Sequence, residues 1–251
     1  MSRFNVPPVA PAGVQVWWAR PLSLNASGLV RLLDPAERGR RDGYRRDADR
    51  TRFTVAAALL RLVGGVHLGV APDRLVIGRS CPDCDRPHGR PVLPAAGWEC
   101  SVSHSADRVA VAIGRTGPLG VDVEDFGSRP GDRDAGLADL VLTPDEAAEL
   151  ARYAQPDGLL TYWTRKEAVL KATGEGLRIG LRQVVVSPPD APPALVRSGY
   201  DAGLPDRAQL RTLSPGAGYL ACLAVLDTPT PDVTEIDATA LLQNAGDHPR
   251  A

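Results

Sequence analysis

The amino-acid sequence predicts an α+β fold. Segments with helical spacing of apolar residues and segments with strand-like alternation follow one another without the regular β-α-β order of a parallel sheet. A Gly- and Pro-rich turn joins two strand-like segments in the middle of the chain, which indicates a hairpin and antiparallel pairing. At 251 residues the chain can bury a large core, either as one domain or as two smaller lobes.

The composition is that of a globular protein, with 43% apolar and 24% charged residues. A net charge of −1 argues against bulk binding of nucleic acid. The sequence shows no apolar run that approaches the length of a membrane span. Residues 1–11 lack the pattern of a signal peptide, so we expect a cytoplasmic protein.

The N-terminal part begins with a predicted strand and continues with helices. The pattern predicts a strand at 14–19, short helices at 27–33 and 35–42, and a longer helix at 47–63. The longer helix has apolar side chains at helical spacing, and the pair Gly64-Gly65 is predicted to end it.

Residues 78–98 are rich in Gly, Pro, Cys and Asp and are predicted to form a long loop. Within the loop, Cys81, Cys84 and His88 have the spacing C-x₂-C-x₃-H, which is part of a structural zinc pattern. The neighbouring Pro and Asp residues are equally typical of an ordinary turn. Both interpretations, a zinc site and a rigid loop, stay open.

Two carboxylates lie on the predicted hairpin formed by residues 109–113 and 119–124. In Gly120-Val-Asp-Val-Glu124, Asp122 and Glu124 alternate with valines, so both side chains project from the same face of a strand. Like charges held that close repel each other unless a cation lies between them. A solvated strand face is the structural alternative for such a pattern.

The C-terminal part starts a helix at Thr143, with Pro144 in the first turn and Glu146 completing a capping box. Strands are predicted at 182–187, 208–213 and 219–226. The Pro- and Asp-rich tail, from about residue 228, is predicted to lie loosely on the surface.

A second motif, Trp163-Thr-Arg-Lys-Glu-Ala-Val-Leu-Lys171, is predicted to be helical and to end at Gly174. Glu167 and Lys171 are four residues apart and share a helix face, as a simple surface ion pair would also do. The chain has 29 basic side chains, and its only lysines, Lys166 and Lys171, both lie in this motif. Lysine kept in a chain that otherwise uses arginine indicates a place where a compact ammonium fits and a planar guanidinium does not.

These two motifs resemble the paired motifs of the 4′-phosphopantetheinyl transferases, in particular the longer, surfactin-synthetase type with two similar halves in one chain. Other segments that resemble the family follow in the expected order: Asp49–Arg61, Gly89-Arg90-Pro91 and Ser101-Val-Ser-His-Ser105. The resemblance implies an N-terminal lobe at 1–118, a C-terminal lobe at 119–251 and an active site between the two similar α/β lobes.

The resemblance also implies the chemistry. The family moves the 4′-phosphopantetheine arm of coenzyme A onto a serine hydroxyl of an acyl or peptidyl carrier protein and releases 3′,5′-bisphosphoadenosine. Asp122, Glu124 and Glu167 would hold Mg²⁺, with Mn²⁺ as a substitute. Asp122, Glu167 and Lys171 would form the catalytic group. Glu167 would be the general base, directly or through a metal-bound water, and Lys171 would lie at the pyrophosphate of coenzyme A.

Coenzyme A would also contact residues of the N-terminal part. The resemblance assigns a phosphate contact to His104, places Ser103 and Arg90 near the adenine end, and gives Arg52 a further phosphate contact. For His104 a buried structural histidine is the alternative, and for Arg52 a solvated helix face. Arg90 departs from the lysine common in the family, and the Cys81–His88 segment is not part of the family's general pattern.

The carrier protein would dock on residues 125–160, where the apolar side chains that could contact it are Leu137, Leu140, Val141 and Leu142. Core packing is the alternative for these four side chains. A monomer is expected, because both halves of the site belong to one chain. Two other functions remain as alternatives. One is a carrier-protein-binding module that has lost catalysis. The other is a magnesium-dependent nuclease, which the four-residue spacing of Glu167 and Lys171 and the near-neutral charge disfavour.

Overall fold

The computed structural model describes residues 5–79, 84, 89–126 and 134–247. The chain divides into two compact units, the first comprising residues 1–115 and 232–251 and the second residues 116–231. The first unit combines a mixed sheet, and the second an antiparallel sheet, with one long helix packed against it, which confirms the predicted α+β class.

The helices and strands are numbered in chain order. The strands are β1 Gly13–Ala19, β2 Glu99–Ser105, β3 Arg108–Gly114, β4 Leu119–Asp125, β5 Val184–Val186, β6 Leu195–Ser198, β7 Ala208–Thr212, β8 Tyr219–Leu226 and β9 Asp232–Asp237. The α-helices are α1 Pro35–Asp42, α2 Asp47–Leu68, α3 Asp134–Val141, α4 Pro144–Leu150, α5 Gly158–Thr173, α6 Leu204–Arg207 and α7 Thr239–Asp247. Short 3-10 helices include Ala26–Leu32 and Leu181–Gln183.

The first unit is built on a four-stranded sheet of order β2-β3-β1-β9. Strand β3 is antiparallel to both β1 and β2, and β9 is parallel to β1. Alternate residues of β3 (Val109, Val111 and Ile113) belong to the same buried core as the apolar residues of α2. The apolar side chains that alternate along β3 thus pack with those of α2 in one apolar layer.

Helix α2 is longer than the sequence predicts. It does not end at Gly64-Gly65 but continues to Leu68 and ends at Gly69, whose φ of 66° is in the left-handed region that favours glycine. A Cβ atom on Gly65 would lie 2.7 Å from the carbonyl oxygen of Val70. Gly65 therefore permits a close backbone approach rather than a helix end.

Within the described ranges, α2 is also long and apolar enough to span a membrane by length and composition, contrary to the expectation that no run approaches that length. However, 72% of its most apolar window is buried. Burial of this kind is typical of the central helix of a globular core.

Residues 232–247 differ from the loose surface tail expected after residue 228. Strand β9 pairs with β1 in register from Gly13↔Asp232 to Trp18↔Asp237, and the indole Nε1 of Trp18 donates to Glu235 Oε2 at 2.8 Å. Helix α7 buries Leu241, Leu242 and Ala245 in the first unit's core. This segment therefore belongs to the first unit rather than to a C-terminal lobe of residues 119–251.

The second unit contains a three-stranded antiparallel sheet of order β4-β8-β7 and a two-stranded sheet of β5 and β6. Helix α5 packs against β4 and β8. The buried core beneath α5 includes Ala168, Leu170 and Ala172 of the helix together with Cys222, Ala224 and Leu226 of β8. The central helix of this unit is therefore the one that carries the second sequence motif.

The predicted hairpin of residues 109–113 and 119–124 is wrong. Strand β3 pairs with β1 and β2, whereas β4 pairs with β8 from Leu119↔Val225 to Asp125↔Tyr219. The boundary between the two units falls at residues 115 and 116, within the turn-like segment that suggested the hairpin. Its Gly and Pro residues mark a connection between units, which local sequence does not distinguish from a hairpin turn.

Candidate active site

Strand β4 carries the two carboxylates of the first motif. Asp122 lies opposite Cys222 of β8, and Glu124 lies opposite Leu220. Asp122 is buried, with 3% of its surface exposed, and Glu124 is partly exposed. The two-residue period of the strand places both side chains on the face that meets α5.

Gly120 brings α5 close to β4. A Cβ atom at this position would lie 2.2 Å from the carbonyl oxygen of Ala168 and 2.4 Å from the backbone nitrogen of Ala172. Such distances are far below van der Waals contact, so only glycine allows the helix and strand to lie this near each other. The first glycine of the acidic motif thus sets the distance between the two motifs.

Lys171 joins the two motifs by direct contact. Its Nζ donates to Asp122 Oδ1 at 2.6 Å and to the carbonyl oxygen of Val121 at 3.1 Å. Lys171 lies in the last turn of α5, where the helix dipole favours a cation. The helix ends directly after it at Gly174, whose φ is 78°.

Glu167 lies one turn before Lys171 on α5 and is 8% exposed. Burial raises the pKa of its carboxyl group to about 7, the charge of Lys171 opposes this shift, and the charges of Asp122 and Glu124 add to it. The buried Oε1 atom has no hydrogen-bond partner in the part of the chain that the structure describes. Glu167 is therefore a carboxyl group that is poised to exchange a proton near neutral pH.

The carboxylates of Asp122, Glu124 and Glu167 are chemically suited to bind a hard divalent cation. Mg²⁺ prefers a small number of carboxylate oxygens and keeps its other positions for water and phosphate. The unpartnered Oε1 of Glu167 and its repulsion by Asp122 and Glu124 are features that a cation would relieve. In the described residues, however, no three Asp, Glu, His or Cys side chains stand close enough together to hold a metal as they are. Asp122 is held by Lys171 instead.

The predicted zinc ligands cannot be placed as a group. Cys81 and His88 lie outside the described residues, and Cys84 is partly buried. The zinc interpretation therefore stays a prediction.

On β2 of the first unit, the neighbouring residues Ser103 and His104 point to opposite sides of the strand. Ser103 is 7% exposed, whereas His104 is exposed. The alternative of a buried structural histidine is thus excluded for His104. An exposed imidazole on a strand can meet a ligand, and the buried hydroxyl of Ser103 can do so only from the other face.

The two arginines assigned to coenzyme A have partners within the first unit. Arg90 forms an ion pair with Glu99, the first residue of β2. Arg52 forms an ion pair with Asp49, and its Nη1 donates to the carbonyl oxygen of Ala106 at 2.9 Å. Ala106 lies in the turn between β2 and β3 with a φ of 43°. Arg52 is therefore neither a solvated side chain nor an unengaged cation, because it holds the turn that follows His104.

In the predicted carrier-docking segment, the structure separates exposed from buried leucines. Leu140 of α3 is 67% exposed, whereas Val141 and Leu142 belong to the buried core of the second unit. Leu137 is partly buried against that core. Leu140 alone of these four presents most of its side chain to solvent.

Two residues of the second unit form an interaction that the sequence does not predict. Lys166 and Glu146 form a buried ion pair at 2.6 Å beside the catalytic motif. The sequence identifies Glu146 as a helix cap and Lys166 as one of the only two lysines, but it does not connect them. The retention of lysine at position 166 is the one signal that points to this contact.

Comparisons with known proteins agree with this site. A family model described as the 4′-phosphopantetheinyl transferase superfamily matches residues 118–224, which contain both motifs. The chain is 32% identical to the 4′-phosphopantetheinyl transferase HetI of Nostoc sp. over 64% of this chain and 68% of that protein. It is 30% identical to a putative 4′-phosphopantetheinyl transferase of Synechocystis sp. over 68% of this chain and 69% of the relative. A 4′-phosphopantetheinyl transferase of Bacillus subtilis is 28% identical over 66% of this chain and 71% of its own length.

An acidic strand and a Glu-Lys helix brought together by a glycine are suited to phosphoryl transfer, which depends mainly on positioning and charge stabilisation. With these relatives, the chain belongs to the 4′-phosphopantetheinyl transferase superfamily and is an enzyme of that class.

Proposed function

We propose that this enzyme transfers the 4′-phosphopantetheine moiety of coenzyme A to a serine hydroxyl of an acyl or peptidyl carrier protein. The serine oxygen forms a bond to the phosphorus that carries the pantetheine arm, and the bridging bond of the pyrophosphate breaks. The products are the holo carrier protein and 3′,5′-bisphosphoadenosine. The observation that carries the proposal is the meeting of Asp122, Glu167 and Lys171 between β4 and α5.

Glu167 is the general base of the proposed reaction. Burial brings the pKa of Glu167 to about 7 when no metal is bound, so this carboxylate is a stronger base than an exposed glutamate. The carboxylate accepts the proton of the carrier serine as its oxygen attacks. Activity is therefore expected to fall as pH is lowered and Glu167 is protonated. A rate that stays flat through the acidic range at saturating magnesium would exclude this role.

Lys171 balances the negative charge of the breaking pyrophosphate. Its ammonium already lies between the backbone of β4 and Asp122, so it is held in place without a substrate. A fixed cation needs little reorganisation when charge develops on the leaving phosphate. Asp122 thus acts both as a predicted metal ligand and as the residue that orients Lys171.

Asp122, Glu124 and Glu167 are the residues that would hold Mg²⁺, or Mn²⁺ as its substitute. A bound divalent cation would supply charge neutralisation at the phosphate oxygens. The chain's contribution is two carboxylates on β4 and one on α5, two elements whose close approach Gly120 permits. Zinc at Cys81, Cys84 and His88 is no part of the proposed reaction.

For coenzyme A binding, the exposed imidazole of His104 is the first-unit residue best suited to contact a phosphate. Arg90 and Ser103 are proposed to lie near the adenine end, with Arg90 anchored by Glu99. The contact of Arg52 with Ala106 supports an indirect contribution, in which it fixes the turn after His104. We further propose that the enzyme acts as a monomer in the cytoplasm, without nucleic-acid or membrane partners.

Intact mass spectrometry of an apo carrier protein incubated with the enzyme, coenzyme A and magnesium tests the proposal. We expect the carrier to gain one phosphopantetheine, and we expect no gain with EDTA or with Glu167→Gln. Asp206→Asn is the matched control, since Asp206 is an exposed carboxylate on α6 of the same unit. It should leave the gain unchanged.

The alternatives predict other outcomes. A binding module that has lost catalysis would give no mass gain from folded protein that still binds coenzyme A and carrier. A magnesium-dependent nuclease would instead cleave nucleic acid and would lose that activity in Glu167→Gln. A gain that persists in Glu167→Gln would refute the assignment of the base while leaving the transferase in place.

A further inference from the structure

The ion pair of Lys166 and Glu146 is buried beside the candidate active site, and the reaction proposed above gives neither residue a role. The side chain of Lys166 is 0% exposed and that of Glu146 is 1% exposed. Burial of two charges costs free energy, and the attraction between them often does no more than offset this cost. Such a pair is therefore weak evidence for a contribution to stability. A role in fixing geometry would explain why the pair is present.

Lys166 joins three separate parts of the second unit. Its Nζ donates to Glu146 Oε2 at 2.6 Å, to the carbonyl oxygen of Val141 at 2.7 Å and to that of Leu181 at 3.3 Å. These acceptors belong to α4, to the end of α3 and to the 3-10 helix Leu181–Gln183. Three acceptors match the three N–H groups of an ammonium, whereas a planar guanidinium directs its donors differently.

Glu146 is held as firmly as Lys166. Its Oε2 accepts hydrogen bonds from the backbone nitrogen and the hydroxyl of Thr143 at 2.8 and 3.1 Å. Its Oε1 accepts a hydrogen bond from the backbone nitrogen of Val186 in β5 at 3.1 Å. Both carboxylate oxygens are therefore satisfied, and the pair connects the start of α4 with β5 and α5.

The pair holds one side of α5 while Lys171 holds another. Lys166 precedes Glu167 directly, so their side chains leave the helix about 100° apart. Lys166 points towards α3, α4 and the 3-10 helix, and Lys171 binds Asp122 on β4. With contacts on two sides, α5 cannot turn about its axis. A turn of roughly 20° would move the Glu167 carboxylate by about 2 Å.

We propose that Lys166 and Glu146 are positioning residues that set the rotation of α5 and thereby hold Glu167 and Lys171 against β4. The kinetic part of this inference rests on the proposed function, and the structural part does not.

The kinetic test uses Lys166→Met and Lys166→Arg, compared with the wild type. Lys166→Met removes the ammonium, and Lys166→Arg keeps the charge but not the geometry. We expect kcat to fall at least about tenfold in both variants, because a misplacement of about 1 Å can cost a hundredfold. We expect the KM for coenzyme A to rise by a smaller factor than kcat falls, since the variants displace Lys171 but leave the proposed contacts of the first unit unchanged.

Leu204→Ala is the matched control for lost stability. Leu204 of α6 is 1% exposed and belongs to the same core, so its truncation lowers the melting temperature without touching the ion pair. Rates are compared at a temperature at which circular dichroism shows each protein folded. If the Lys166 variants keep kcat within about twofold of the control, the pair is structural only and the proposal is overturned.

A crystal structure of Lys166→Arg gives a readout that needs no activity. We expect α5 to be rotated and the contact between Lys171 Nζ and Asp122 Oδ1, 2.6 Å in the wild type, to be lost. An unchanged contact would overturn the proposal whatever the kinetics show. If the wild type transfers no phosphopantetheine but this contact is lost in the variant, the proposed function fails while the positioning role stands. If Lys166→Arg does not fold, the same comparison is made with Thr143→Val, which removes the hydrogen bond from the Thr143 hydroxyl to Glu146 Oε2 and the capping bond from the Glu146 backbone nitrogen.

Discussion

Glu167 shows how one side chain combines the properties that the proposed reaction requires. It is buried, it is repelled by the two carboxylates of β4, and its Oε1 has no hydrogen-bond partner among the described residues. Each of these features costs free energy in the folded protein unless a proton or a cation compensates. Lys171 provides part of that compensation.

Magnesium binding should therefore release a proton from Glu167. Metals bind the deprotonated carboxylate, so binding lowers a pKa that is about 7 without metal. Near pH 7 the release should approach about half a proton per magnesium, and about two pH units higher it should vanish. Calorimetry in two buffers of different ionisation enthalpy measures the number of protons released.

Glu167→Gln is the matching control, because glutamine keeps the shape of the side chain but carries no titrating proton. Its magnesium binding should be weaker and free of this proton release. Equal proton release from the wild type and the variant would show that another group titrates.

Gly120 is the residue that determines how α5 and β4 pack as elements. Gly120→Ala places a methyl group against the backbone of Ala168 and Ala172, which should cost about 1–3 kcal/mol of stability. The helix must move away from the strand, so kcat should fall by about a hundredfold. Thermal unfolding and carrier-modification rates measure the two effects.

Gly39→Ala supplies the comparison for this variant. Gly39 lies in α1 of the first unit, and a Cβ atom there would meet nothing within 4 Å. Alanine is the better helix former, so stability should rise by about 0.5–1 kcal/mol with activity unchanged. Similar losses in both variants would contradict the packing role of Gly120.

Helix α3 offers a second element-scale prediction, for the carrier protein. Leu140→Ser should raise the KM for the carrier about fivefold to tenfold, because an exposed apolar contact is lost, and should leave the KM for coenzyme A unchanged. Val196→Ser, at a 58% exposed valine of β6, is the control and should change neither value. Equal behaviour of both variants in a steady-state assay would place the docking surface elsewhere.

Helices and strands that are marked by residues within or next to them were predictable from the sequence. The capping residues of α1 and α4 determine Pro35–Asp42 and the start at Pro144, and the continuous apolar run of β8 determines Tyr219–Leu226. The pairing of β4 with β8 was not predictable in this way. It depends on residues a hundred positions apart, while the nearby turn favoured the wrong partner.

The residues of the candidate site divide in the same way into those that the sequence identifies and those whose contacts depend on the tertiary structure. The spacing of the two motifs identified Asp122, Glu167 and Lys171, which the structure brings together. The burial of Glu167 and the Lys166–Glu146 contact depend on tertiary packing that no local pattern contains. Likewise, the sequence suggests a phosphate contact or a solvated helix face for Arg52, and no local pattern shows its hydrogen bond to the carbonyl oxygen of Ala106.

At the scale of the whole molecule, residues 232–247 complete the first unit. Deletion of residues 232–251 should remove the edge strand β9 and the core contacts of α7. We expect a loss of several kcal/mol, enough to unfold the first unit, since each buried leucine alone contributes about 2–5 kcal/mol. A stable protein after this deletion, seen by calorimetry beside the full-length chain, would mean that the tail is dispensable.

The parallel pairing of β9 with β1 also sets an order of events during synthesis. Residues 116–231 form the second unit from one continuous stretch, so it can fold as soon as that stretch has left the ribosome. In the first unit, β1 cannot pair with β9 until Val233, the partner of Val14, has been synthesised. This happens only after the whole second unit has been made. Pairing over so long a separation is slow, and the open edge of β1 is exposed to other chains meanwhile. The first unit, whose synthesis begins first, is thus the last to complete its fold.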